Sequence, residues 1–225
     1  MSRTLNRDSA PHLANCALTL AREKVQSLTA RCLAAWWGVE VGPCCRFYGL
    51  PLFRRLPGSR MRIGAGCEFR SAHWSNLVGV NRPCILSTML EDALLEIGEG
   101  SGFSGTTIGC AAHVILGRRV MCGANVTITD TDWHPLEWRP RAEGLTGPVA
   151  PVSIGDDVWL GMNTTVLKGV TIGRRTVVGA GSIVSRSIPE GVIAAGSPAA
   201  VIRKLASADD PEIVAMRFST RGAEV

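Results

Sequence analysis

The chain is poor in large rings: 225 residues include one Tyr, five Phe and six Trp. Aromatic packing therefore cannot dominate its interior. No apolar run approaches the ~18 residues of a membrane-spanning helix, so a helical span is excluded. The eight cysteines include no Cys-x-x-Cys pair, and the start lacks the basic-then-apolar pattern of a secretory leader. The thiols are therefore read as reduced and mostly buried, in a cytoplasmic protein. Lys and Arg (24) exceed Asp and Glu (19) by five, without a long basic run or interleaved aromatics; no nucleic-acid platform is expected. A hydrophobic fraction of 46% with 19% charged residues excludes a disordered chain.

What is abundant is glycine, 25 residues, and much of it is periodic. Aliphatic residues recur every six positions at Ile154, Leu160, Val166, Ile172, Val178 and Val184. Four of them precede Gly155, Gly161, Gly173 and Gly179. A small or β-branched residue follows four places into each unit: Val158, Thr164, Val170, Thr176 and Ser182. Neither the helical period of 3.6 nor the strand period of 2 gives a strict six. Each unit reads as a short strand plus a corner, with the glycine supplying a positive φ. Three units close a triangular coil of roughly 18 residues, and coils stack at about 4.8 Å. Such a prism has little room for rings.

The period is weaker upstream, through Ile97, Phe103, Cys110, Leu116, Cys122 and Ile128, and Ile63 with Cys67 and Phe69 reads as an isolated earlier turn. It vanishes over about 129–152, an irregular insertion containing Trp133, His134, Trp138 and several Pro. An insertion of that length inside a regular solenoid points to function. Residues 13–33 form a helix with Leu13, Ala17, Leu20, Val25 and Leu28 among its apolar positions. It reads first as packed on the solenoid or over its open end; peripheral membrane contact is the less favoured reading. The expected organisation is an N-terminal helical and irregular extension at 1–56, a parallel β-helix at 57–204, and a tail with a short helix at 209–218 within 205–225.

Three segments carry a resemblance: Thr-Asp-Trp-His-Pro-Leu at 131–136, Ile-Gly-Asp-Asp-Val-Trp-Leu-Gly at 154–161 and Val-Gly-Ala-Gly-Ser-Ile-Val at 178–184. With the hexapeptide run they resemble the hexapeptide-repeat acyltransferases, nearest the maltose and galactoside O-acetyltransferases and the acetyltransferases of polysaccharide biosynthesis. The match covers about 97–204 and is strongest from 120. It implies an all-β, left-handed parallel β-helix and a homotrimer with active sites between subunits. It also implies acetyl-CoA as donor, a sugar or glycan hydroxyl as acceptor, and no metal.

The resemblance makes His134 the general base, which takes the hydroxyl proton as the oxygen attacks the thioester directly. It places Asp130, Asp132, Trp133 and Ser104 on the acceptor side, with Asp130 or Asp132 orienting the His134 ring or meeting the acceptor. A sugar-binding Asn of relatives falls on the Phe103-Ser104 region, so that contact is not preserved and the disaccharide acceptor of those enzymes is not expected. Trp138 is a second loop ring suited to stacking on a sugar. Met162 aligns with the residue whose backbone amide meets the oxyanion. Gly161 and Ala180 flank the pantetheine, Trp159 walls the acyl pocket, and Ser185, Arg186, Arg203 and Lys204 face the nucleotide end. Two alternatives keep this fold: N-acetylation of an aminosugar or antibiotic, and a non-catalytic scaffold. A metal-dependent carbonic anhydrase would need His73, His113 and His134 around one ion.

Overall fold

A computed structural model describes residues 9–206; the helix expected at 209–218 lies outside them. The chain opens with α1 (Ser9–Trp36) and then winds through six coils of three strands. Coil one is β1 (Glu40–Val41), β2 (Arg46–Tyr48) and β3 (Leu52–Arg54); coil two is β4 (Arg60–Ile63), β5 (Glu68–Arg70) and β6 (Ile85–Thr88). Coil three is β7 (Leu94–Ile97), β8 (Gly102–Ser104) and β9 (Thr107–Cys110); coil four is β10 (His113–Leu116), β11 (Met121–Ala124) and β12 (Thr127–Thr129). Coil five is β13 (Val152–Ile154), β14 (Trp159–Leu160) and β15 (Thr165–Val166); coil six is β16 (Thr171–Ile172), β17 (Val177–Val178) and β18 (Ile183–Val184). A hairpin, β19 (Val192–Gly196) and β20 (Ala199–Lys204), finishes the described chain.

The strands stack into three sheets. The first runs β1-β4-β7-β10-β13-β16, the second β2-β5-β8-β11-β14-β17-β19-β20, and the third β3-β6-β9-β12-β15-β18. Every pairing is parallel except β19 with β20. This is the left-handed parallel β-helix, with an N-terminal helix added. The six aliphatic repeat residues from Ile154 to Val184 are all at most 1% exposed, as are the five small inward residues. Inside the prism the hydroxyls of Thr164 and Ser182 donate to the Gly179 carbonyl, at 3.3 and 2.7 Å.

Four sequence expectations are corrected. The β-helix begins at residue 40 rather than 57, because coil one pairs with coil two along all three sides. Ile63, Cys67 and Phe69 are thus part of a continuous stack. Rings also enter the core: Phe47, Phe69 and Phe103 stack on successive coils of the second sheet, with centroids 5.1 and 5.0 Å apart. The insertion is not wholly irregular, since it carries a short helix, α2 (Trp138–Ala142). Finally, the corner glycines do not supply the positive φ. That conformation falls two residues later, at Asp157, Asn163, Gly169, Arg175 and Gly181. Glycine is needed at 161 because a Cβ there would lie 2.5 Å from the Ala180 nitrogen of the next coil.

α1 seals the first coil. The edge amide of Phe47 donates to Ser27 Oγ at 2.9 Å, and that of Gly49 to Gln26 Oε1 at 2.7 Å. Arg31 donates to the Gly42 and Cys45 carbonyls at 3.2 and 3.3 Å. Edge groups without a preceding coil are thereby satisfied. Between coils four and five, where the insertion leaves the prism, Arg118 and Arg119 reach Asp156 and Asp157 at 2.9 and 2.6 Å.

Candidate active site

The insertion leaves β12 on the third sheet and returns to β13 on the first. An antiparallel bridge, Thr131 with Val149, closes its neck. At its root Asp130 is fully buried, and its carboxylate accepts the amides of Ala111 and Ala112 at 2.6 and 2.7 Å. Both oxygens are occupied with backbone, so Asp130 fastens the root of the insertion instead of facing an acceptor or the ring of His134. Asp132 pairs with Lys168 at 2.8 Å, and its amide reaches the Pro148 carbonyl at 3.2 Å.

His134 follows a tight turn. Trp133 takes the left-handed conformation, φ 65°, and the His134 amide donates to the Asp132 carbonyl at 2.7 Å. The Trp133 amide is held by Thr131 Oγ1 at 3.1 Å, and its ring lies over Gly109. From the other side Gly147 abuts the His134 backbone so closely that a Cβ would meet its carbonyl oxygen at 2.5 Å. Arg141 on α2 donates to the carbonyls of Pro135 and Leu136 at 3.0 and 2.8 Å. The backbone is thus fixed from several directions, while the exposed imidazole has no hydrogen-bond partner among the described residues.

A second feature lies along the second sheet and its following corner. A groove of about 340 Å³ is lined by Trp159, Gly161, Met162 and Ala180, with Gly123, Ala124, Val177, Val178, Gly179, Asn76 and Val78. Four expected donor-side residues therefore meet in one place. The amides of Met162 and Ala180 make no hydrogen bond among the described residues, and a bare N–H bordering a groove can hold an oxygen from outside. Arg203 stands on β20 in register with Ile193, Val177 and Trp159, so it continues the same row of the sheet with Lys204 beside it. Ser185 and Arg186 are exposed beyond β18, at the end of the third sheet, and do not line the groove.

Ser104 lines an adjoining cleft of about 270 Å³ that shares Trp159, Asn76 and Gly123 with the groove. Its hydroxyl accepts from Asn76 Nδ2 at 3.0 Å. Asn76 went unnoticed in the sequence because it belongs to a second, shorter excursion between β5 and β6, which has no repeat or motif to mark it. The two halves of the expected site stand apart within one chain: no residue of the 130–151 insertion lines the groove. Burial pushes the Cys122 thiol up, and burial followed by the Asp130 carboxylate pushes Cys110 up to about 12. Among the described residues no three His, Cys, Asp or Glu side chains gather as a metal site.

Comparison with known proteins agrees with this architecture. The family description "Bacterial transferase hexapeptide (six repeats)" matches residues 151–186. Galactoside O-acetyltransferase of Lactococcus lactis is 44% identical over 149 residues, 65% of this chain and 64% of that protein. A solved galactoside acetyltransferase in complex with coenzyme A is 34% identical, covering 55% of this chain and 57% of that one, with a TM-score of 0.46. An N-acyltransferase structure from Bacillus cereus, 14% identical, shares the fold at a TM-score of 0.58 over 85% of this chain and 95% of that one. The chain spans about half the length of the first curated relatives it matches, 44%, 49% and 46%. It is a left-handed parallel β-helix carrying the bacterial transferase hexapeptide repeat, similar over part of its length to galactoside O-acetyltransferases.

Proposed function

We propose that the protein is an acetyl-CoA-dependent O-acetyltransferase that acts on a hydroxyl of a sugar or glycan precursor, as a cytoplasmic homotrimer. The observation that carries the reading is His134: an exposed, partner-free imidazole on a backbone fixed by Trp133, Gly147 and Arg141. Such a ring is free to accept a proton from an incoming hydroxyl while its position is held. Similarity to the Lactococcus lactis galactoside enzyme supports the acceptor class.

In the proposed reaction the acceptor O–H gives its proton to His134 as its oxygen bonds to the thioester carbonyl carbon. The Met162 amide receives the developing oxyanion. The carbon–sulfur bond then breaks, and the proton on His134 passes to the leaving CoA thiolate. The groove beside Trp159, Gly161 and Ala180 is bordered on one side by Gly and Ala backbone that a pantetheine arm can approach closely, and Arg203 with Lys204 offers charge to phosphates further along the sheet. Ser185 and Arg186 contribute to the nucleotide end only if a neighbouring copy brings them there. Asp132, held by Lys168, and Trp133 border the acceptor, and Ser104 with Asn76 lines the cleft on the donor face. A covalent acyl-cysteine is opposed by the raised values of Cys110 and Cys122, which leave them as thiols.

The separation of the two halves supports an assembly in which copies share their sites. His134 stands between the third and first sheets and the groove at the end of the second, so a complete site requires the groove of an adjacent copy. The test is His134→Ala assayed for CoA release with a panel of sugar acceptors. Transfer is expected to fall by about 10²–10⁴-fold, with folding and the acetyl-CoA-induced thermal shift retained; near-normal turnover removes His134 as base.

A further inference from the structure

We propose that the outer face of α1 is a docking surface for an anionic lipid membrane, holding the β-helix by its N-terminal end. The inner edge of the helix is committed to coil one through Gln26, Ser27 and Arg31. On the opposite side Leu18, Ala21, Val25, Leu28, Cys32 and Trp36 recur at intervals of three or four residues, which align them in one stripe along the helix. All are exposed; Val25 and Leu28 are each 67% and Trp36 85% open. An apolar stripe of this length needs a cover.

Charge selects the cover. α1 carries Arg22, Lys24 and Arg31 against Glu23, and residues 37–62 carry Arg46, Arg54, Arg55, Arg60 and Arg62 against Glu40, with Arg46 and Arg62 also paired to Glu68 and Glu96 of later strands. Both acids are engaged, Glu23 accepting from Ser27 at 2.9 Å and Glu40 pairing with Arg62 at 3.3 Å. Arg22 and Lys24 flank the stripe. An antiparallel second copy centred on Val25 would bring Lys24 against its own counterpart, so self-pairing is opposed. An anionic bilayer accepts the apolar residues and the flanking cations together, and Trp36 at the end of the stripe suits the interface. No described helix is long and apolar enough to cross a membrane, so α1 lies on the surface. The acetyl-transfer reading is not needed for this inference.

The test is flotation of the full chain with vesicles of phosphatidylcholine alone or mixed with phosphatidylglycerol, at low and raised salt. Binding is expected to the mixed vesicles, and to weaken at least roughly tenfold in raised salt or in the double variant Val25→Glu, Leu28→Glu. The substituted side chains point to solvent, so the variant is expected to keep the wild-type melting temperature. Failure to bind mixed vesicles, or equal binding by the variant, overturns the proposal. Lipid-independent assembly that the variant abolishes, without vesicle binding by the wild type, assigns the face to another copy and also overturns it.

Discussion

Asp130 and His134 stand four residues apart and do opposite things. Asp130 is sealed in the protein with two backbone amides on its carboxylate; His134 is open and unpartnered. Asp130→Ala leaves the buried amide of Ala111 and the part-buried amide of Ala112 without an acceptor and is expected to cost about 2–4 kcal/mol of stability, measured by chemical denaturation. His134→Ala is expected to leave that stability unchanged. The motif around 131–136 makes His134 legible in the sequence. The role of Asp130 was not, because an acid beside a histidine looks the same whether it orients the ring or ties down a corner nineteen residues earlier in the chain. Only the packing of coil three against coil four distinguishes them. Asn76 was illegible for a related reason: its partner Ser104 is remote in sequence, and nothing periodic surrounds it.

At the scale of the coil, each hexapeptide divides its labour between two positions. A glycine after the inward aliphatic allows the next coil to approach, and a residue two places on turns the chain with positive φ. Gly161→Val is therefore expected to lower the melting temperature by forcing coil five away from Ala180, and to weaken the acetyl-CoA thermal shift, because the same corner borders the groove. Ion pairs at Arg118–Asp156 and Arg119–Asp157 join coil four to coil five. Asp156 is held below the usual carboxylate range first by the Arg118 amide, and Asp157 first by the Arg119 guanidinium. A carboxylate depressed in the folded state stabilises above its ordinary value and loses that contribution as pH falls through the folded one. Melting temperature is thus expected to drop on acidification below the usual carboxylate range, and less steeply in Asp156→Asn, Asp157→Asn. The strict six-residue period from Ile154 made coils five and six readable. The first coils were not, because Phe47, Phe69 and Phe103 fill the aliphatic position and an excursion separates β5 from β6.

For the whole molecule, the prism carries different chemistry in different places. The N-terminal end holds the apolar face of α1 and its flanking cations; the groove and Arg203 occupy one sheet; His134 projects from another edge. The central claim is that catalysis joins His134 of one copy to the groove of the next. Ala180 is exposed and lines the groove, so Ala180→Trp fills it without disturbing the core. Mixing His134→Ala with Ala180→Trp subunits, each inactive alone, and measuring CoA release tests the claim directly. A shared site predicts that randomly mixed trimers recover about a quarter of wild-type activity, since about one interface in four then combines an intact His134 with an intact groove. No recovery in trimers shown to contain both subunits would contradict it.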